Sequence, residues 1–173
     1  MKKTICFLTT IIALTLLGCS SDDDENVFKD AKSDIVIDGA PVKVIGVTCS
    51  DEYPKTPGFY HLFMLMENEI KVTIEIDDAV HDGEVVDLTK EDSNLDSGKA
   101  NRSWFIDTSR ESTYRTLFYG SGGSSFRPFL PGSTLYIKKL SDTSFIIRFN
   151  LNFEVDGEAH AWIGYYEGRV KFL

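Results

Sequence analysis

The chain has 173 residues and a formal net charge of −9 at pH 7. Nucleic acids and anionic lipid surfaces are bound through basic footprints, so the acidic balance argues against both as partners. A chain of this length can bury a hydrophobic core without disulfide bonds.

The first 18 residues read as an export signal. Two lysines at positions 2 and 3 precede an uncharged, mostly apolar stretch over residues 5–17. This stretch is shorter than the roughly 20 apolar residues that cross a bilayer and is typical of a secretory signal peptide. It ends in Leu16-Leu17-Gly18-Cys19, which resembles the lipobox of bacterial lipoproteins. The resemblance implies cleavage before Cys19 and a firm anchor of several acyl chains on that residue.

Residues 19–27 are expected to form a lipidated acidic tether. The four carboxylates of Asp22-Asp23-Asp24-Glu25 repel one another and favour an extended segment. The string Ser20-Ser21-Asp22-Asp23-Asp24-Glu25 is similar to the acidic export signal of Bacteroidetes lipoproteins. That similarity implies attachment to outer-membrane lipid with the protein facing the cell exterior. Residues 28–173 would then form one domain.

Within residues 28–173 the apolar stretches alternate with a period of two and are separated by turn residues. This pattern predicts an all-β fold, either an antiparallel sandwich or a barrel. The first predicted hairpin runs from residues 34–38 through a turn at Gly39-Ala40 into residues 42–49. Its segment Ile37-Asp38-Gly39-Ala40-Pro41-Val42 is similar to the opening of many small Bacteroidetes surface lipoproteins of unknown function, so it transfers no functional residue.

A second hairpin is predicted from residues 59–66 and 70–77. A two-residue turn at Asn68-Glu69 would pair Phe63 with Ile74 and place both side chains in the core. The opposite face of the first strand would then carry Tyr60, Leu62, Met64 and Met66. We expect another element to cover this strip, and the alternative is an exposed apolar surface.

The middle of the chain predicts short strands at residues 85–88, 103–107 and 114–119. The Gly- and Ser-rich stretch that starts at Gly120 is expected to begin the longest loop, ending near Gly132. Long loops on β scaffolds often carry function. However, the glycine run matches neither a nucleophile elbow nor a phosphate-binding loop.

The carboxyl-terminal third predicts strands at residues 134–140, 144–154 and 159–172. Asp156-Gly157 is a strong signal for a two-residue hairpin turn. Pairing across this turn sets Phe149 opposite Gly164, where the ring can cover the missing side chain. The same register sets Arg148 opposite Tyr165 on the more polar face.

Groups that could support catalysis or bind a metal are sparse. The three histidines, His61, His81 and His160, show no metal-ligand spacing. The acidic segment 77–84 fails the pattern of a helix-loop-helix calcium loop and is expected to be a solvated turn at a strand end, the alternative being a calcium site of backbone carbonyls and carboxylates. Cys49 is predicted to be a buried, inert thiol. The sequence therefore predicts no metal site, no cofactor and no catalytic residue.

Aromatic side chains are the more informative feature. Exposed rings on a β scaffold can stack on sugars while Asp, Asn and Arg side chains bond the hydroxyl groups. The candidate ligand-binding residues are Tyr53, Trp104, Tyr114, Tyr119 and Tyr165. The alternative is that these rings are ordinary core or cross-strand residues.

The sequence favours a non-catalytic extracellular binding module for a glycan or a protein, held in the outer membrane through Cys19. The alternative is a structural or assembly component, in which an edge strand or the strip from Tyr60 to Met66 packs on another chain. A hydrolase ranks last, because no pair of carboxylates stands out from the acidic background.

Overall fold

The computed structural model describes residues 30–50, 59–91, 102–110, 115–123 and 126–173. The predicted signal peptide (1–18), Cys19 and the tether (19–27) lie outside the described residues, and so do Tyr53 and Tyr114. The export signal, the lipidation of Cys19, the tether and the binding roles of Tyr53 and Tyr114 therefore remain predictions.

The described residues form two six-stranded sheets that pack face to face as a β-sandwich. The first sheet contains β1 (Lys32–Ile37), β2 (Ala40–Val42), β6 (Val85–Asp87), β9 (Thr134–Ser141), β10 (Ser144–Val155) and β11 (Glu158–Arg169), in the order β2-β1-β11-β10-β9-β6. The second contains β3 (Val44–Cys49), β4 (Phe59–Met66), β5 (Ile70–Asp77), β7 (Arg102–Arg110), β8 (Arg115–Gly123) and β12 (Lys171–Phe172), in the order β12-β3-β4-β5-β7-β8. One helical turn, α1 (Asp78–His81), follows β5.

The all-β prediction is confirmed, and the architecture is a sandwich rather than a closed barrel. Alternate side chains along the strands are buried, and those on the inner faces of both sheets form one core. Its largest fully buried members are Trp104, Trp162, Tyr166, Phe145 and Phe153. Phe153 is a centre of this packing, because its ring stacks on Phe118 at 5.1 Å and meets Trp162 edge-on at 5.1 Å.

The β10–β11 hairpin has the predicted register. Asp156 and Gly157 both have positive φ values, 54° and 85°, as a two-residue type I′ turn requires. Phe149 therefore lies opposite Gly164, and Arg148 lies opposite Tyr165. The prediction of one strand through residue 172 was wrong, because β11 ends at Arg169 and the chain then crosses to the second sheet as β12.

The predicted register of the β4–β5 hairpin was wrong by one residue. Leu62 pairs with Ile74 and Met64 pairs with Val72, around a loop in which Glu69 has a φ of 64°. A left-handed residue at the end of a three-residue loop gives this longer connection. Because a one-residue shift exchanges the two faces of a strand, the strip from Tyr60 to Met66 faces the core, where the first sheet covers it.

The first hairpin also differs from its prediction. The turn lies at Asp38-Gly39, with φ values of 50° and 82°, rather than at Gly39-Ala40. The returning strand β2 is only three residues long. After Lys43 the chain leaves the first sheet, and β3 pairs with β4 in the second.

Gly120 to Gly123 belong to β8, so the prediction that the long loop begins at Gly120 was wrong. The glycines are required by close packing rather than by a loop. A Cβ atom on Gly122 would lie 2.1 Å from Nε1 of Trp104, and one on Gly120 would lie 2.3 Å from Cε2 of Phe129. Large inward-facing rings thus occupy the space that side chains would take on this strand.

Asp38 ties the first hairpin to β11. Its Oδ2 lies 2.9 Å from Nδ1 of His160, and its Oδ1 accepts a hydrogen bond from the backbone N–H of Ala161 at 2.9 Å. Burial opposes ionisation of Asp38, but the hydrogen bonds and the attraction of His160 outweigh it and lower the pKa of the carboxyl group. The ionised carboxylate is therefore a stabilising contact between the turn and the sheet.

We predict that Asp38→Asn is less stable than the parent at pH 7, and that the difference shrinks in acid. Since folding lowers the pKa of Asp38, its stabilisation is complete above the ordinary value of 3.8 and is lost as the pH falls through the lowered value. Asparagine tolerates the positive φ at this turn, so the comparison keeps the turn and removes the charge together with one of the two acceptor oxygens. Urea unfolding at pH 7 and below pH 3.8 measures the effect. Asp142→Asn, at a fully exposed side chain, is the control and should change little at either pH.

Candidate functional site

A row of large polar side chains crosses the outer face of the first sheet. The β9–β10 register places Tyr136 beside Arg148, and the β10–β11 register places Tyr165 on the other side of Arg148. Their neighbours in sequence point into the core, so these three side chains point outward. We call Tyr136, Arg148 and Tyr165 the Tyr-Arg-Tyr row.

The two tyrosine rings hold the arginine between them. The Cζ atom of Arg148 lies 5.3 Å from the ring centroid of Tyr136 and 5.3 Å from that of Tyr165. Attraction between a guanidinium and an aromatic ring operates within about 6 Å. Arg148 is exposed, yet it has aromatic contacts on both sides, which restrict the position of its charge.

The charge of Arg148 has no ion-pair partner in the described part of the chain. Glu167, two residues along from Tyr165, is already engaged. It accepts a short hydrogen bond from the hydroxyl of Tyr165 and pairs with Nζ of Lys32 at 3.4 Å. These contacts lower the pKa of Glu167, and the same hydrogen bond raises the pKa of Tyr165.

Other outward side chains extend the row into a platform. On the neighbouring register position Asn150 pairs with Ile163, whose side chain is 55% exposed. Asp34 of β1 is exposed and lies opposite Tyr165. The platform therefore combines two aromatic rings, an apolar side chain, an amide and charges of both signs, all on strands of one sheet.

The structure separates the residues that the sequence nominated as binding aromatics. Tyr165 is part of the Tyr-Arg-Tyr row. Tyr119 is 41% exposed but lies on the outer face of the second sheet, where Cζ of Arg127 is 4.2 Å from its ring centroid. Trp104 was wrongly nominated: it is 0% exposed and belongs to the core. Tyr136 and Arg148 were not nominated.

The outer face of the second sheet carries partly buried ionisable groups. His61 was expected in the core, but the corrected register puts it on this face, with Nε2 at 3.2 Å from Oε1 of Glu75. Burial raises the pKa of Asp107 despite hydrogen bonds to Thr116 and Ser109. The polar groups on this face thus interact mainly with one another.

A cavity of about 290 Å³ opens beside α1 and β6. Its lining includes His81, Glu84, Asp87, Lys90, Glu91 and Trp104. Two of its polar side chains, His81 and Asp87, already have partners within the chain. His81 Nε2 lies 3.1 Å from Oγ of Ser103. Asp87 accepts hydrogen bonds from Lys90 and Thr89, which lower its pKa to about 2.

Among the described residues, no group of three or more His, Cys, Asp or Glu side chains is placed to hold a metal ion. Cys49, at the end of β3, is buried, as its apolar strand pattern predicted. None of the described helices is long and apolar enough to cross a membrane.

Comparison of the chain with protein-family models, curated proteins and solved structures finds no match.

Proposed function

We propose that this protein is a non-catalytic extracellular binding module that takes a glycan on the Tyr-Arg-Tyr row. In this proposal Cys19 carries acyl chains that hold the protein in the outer membrane, with the domain facing outward. The observation that supports glycan binding is an exposed arginine fixed between two tyrosine rings on the face of a sheet.

The chemistry of the platform suits a sugar chain. Sugars present both C–H groups, which pack on aromatic and apolar side chains, and hydroxyl groups, which need hydrogen-bond partners. Tyr165, Ile163 and Asn150 offer both kinds of contact within one exposed area. Strands lie about 4.8 Å apart, so the two tyrosines, separated by one strand, present an extended surface rather than a small pocket.

Glycan binding is tested on an array of oligosaccharides with the purified protein. We predict that Tyr165→Ala and Tyr136→Ala each weaken binding at least tenfold, because each removes ring area and loosens Arg148. Tyr119→Ala is the matched control, since this exposed tyrosine lies on the other sheet. Absence of binding to any glycan, or equal losses in all three variants, would contradict the proposal.

The proposed location has a separate test. Protease added to intact cells should remove the domain, and replacement of Cys19 by serine should release the protein from the membrane fraction. Full protection from protease in intact cells would instead place the domain on the inner side of the outer membrane.

Assembly with another chain is the second candidate, supported by one observation. β8 is a nine-residue strand at the edge of the second sheet. Its outer backbone groups pair with Arg127 at Ser121, and those before Ser121 can pair with a further strand. The strip from Tyr60 to Met66 cannot serve this purpose, because it is buried between the sheets. Tyr119 is 41% exposed and lies two residues before Ser121, whose backbone N–H points away from β7. A rise in mass with concentration, measured by light scattering and abolished by Tyr119→Pro in β8, would favour this function.

A further inference from the structure

We infer that the glycan bound by the Tyr-Arg-Tyr row is acidic, with a carboxylate or sulfate group that binds the guanidinium of Arg148. This inference rests on the proposed function and adds the chemical class of its ligand. It is carried by the charge state and the surroundings of one side chain.

The hydrogen-bond donors of Arg148 are left available for a ligand. The side chain is exposed and has no ion-pair partner among the described residues, although the whole chain is acidic. The nearby carboxylate of Glu167 attracts Arg148 without forming an ion pair with it, and is engaged by Lys32 and Tyr165. A planar guanidinium binds carboxylate and sulfate groups through two parallel hydrogen bonds. An acidic ligand would supply the partner that the protein does not.

The guanidinium of Arg148 is already positioned before a ligand binds. Its contacts with Tyr136 and Tyr165, each at 5.3 Å, limit the conformations that the long side chain can take. Side-chain ordering is one of the costs of binding, and a side chain ordered beforehand avoids it. A ligand anion therefore meets a fixed charge rather than a mobile one.

Carboxylates beside the Tyr-Arg-Tyr row limit how closely the negative charges of a ligand can be spaced. Asp34 lies opposite Tyr165, and Glu167 lies on the same face. These carboxylates would repel a closely spaced polyanion, which is a form of selection against the wrong partner. The arrangement fits a sugar chain with separated acidic groups, one of which sits on Arg148.

The test compares acidic oligosaccharides with neutral counterparts of the same length. One arm uses oligogalacturonate and its carboxyl-reduced form, and the other uses a sulfated galactose oligosaccharide and its desulfated form. Binding is measured by calorimetry with the full chain at low and at physiological salt. We expect at least a tenfold preference for an acidic form, weakened by salt, and the arm that shows it identifies the anion.

Arg148→Gln should abolish this preference while retaining the weaker binding of the neutral form. Arg169→Gln is the matched control, because Arg169 is an exposed arginine at the end of the neighbouring strand, β11. Unchanged preference in Arg148→Gln, or equal binding of acidic and neutral forms by the parent, overturns the inference and leaves the proposed function standing. Failure to bind any glycan overturns both.

Discussion

Replacement of Trp104 by alanine is expected to lower the free energy of unfolding by about 3–5 kcal/mol, the range for removing a large buried aromatic side chain. Trp104 is 0% exposed, and its ring lies directly over Gly122 on the neighbouring strand. The glycine has no side chain that could fill the space left behind. Urea unfolding followed by far-ultraviolet circular dichroism measures the loss, with an unchanged denaturant slope showing that the native state is retained.

Two controls define this result. Trp104→Phe keeps part of the ring in place and should lose distinctly less stability than the alanine variant. Leu140→Ala, at a side chain that is 49% exposed, should change the unfolding free energy by no more than about 0.5 kcal/mol. If Trp104→Ala cost no more than Leu140→Ala, the core position of the indole would be contradicted and its role as a binding aromatic would return.

Replacement of Gly164 by alanine is expected to cost about 1–3 kcal/mol through overpacking. The new Cβ atom would lie 2.2 Å from Cζ and 2.3 Å from Cε1 of Phe149, which is closer than real carbon contacts. Phe149 is buried, so its ring has no open solvent to move into. One of the two strands would have to shift, at the centre of the longest hairpin.

A double-mutant cycle tests this explanation. Phe149→Leu removes the ring atoms that the new Cβ would meet, so Gly164→Ala should cost less in the Phe149→Leu background than in the parent. Residues in contact commonly show coupling energies of about 0.5–3 kcal/mol. Additive losses would show that the alanine acts through something other than the Phe149 ring.

The contrast between two hairpins shows what a local pattern can define. Asp156-Gly157 specifies a two-residue turn, and the register of β10 with β11 follows from it over the whole hairpin. The β4–β5 connection contains no glycine, and its left-handed position is taken by Glu69. Residue types alone did not mark the third loop residue, so the predicted faces of β4 were exchanged.

Contacts between segments that are distant in sequence were harder to predict. Trp104, Phe105 and Ile106 are three consecutive apolar residues, so alternation could not show which of them faces the core. The glycines of β8 indicated a loop when the sequence was considered alone. They are needed in a strand because rings from β7 and from the segment after β8 pack on Gly120 and Gly122. The inward direction of Trp104 and the glycines of β8 are both explained by the packing of side chains between the two sheets.

One part of the candidate site could be predicted from the sequence and another part could not, because only one of its two strand pairings is set by a two-residue turn. The Asp156-Gly157 turn is enough to place Arg148 beside Tyr165, because a two-residue loop sets the register of its hairpin. Tyr136 joins them through the β9–β10 pairing, which contains a register shift near Ser144. The turn residues between these strands did not specify that shift, and the second ring of the row was missed.

The pairing of β1 with β11 has a mechanical consequence. Six residue pairs join these strands, and one of them sets Asp34 opposite Tyr165. A ligand pulling on the Tyr-Arg-Tyr row would transmit force to residue 30 through this ladder and through the contacts of Asp38 with β11. Hydrogen bonds between antiparallel strands lie perpendicular to the strands. A load along β1 would therefore be shared by the hydrogen bonds of the whole ladder in shear.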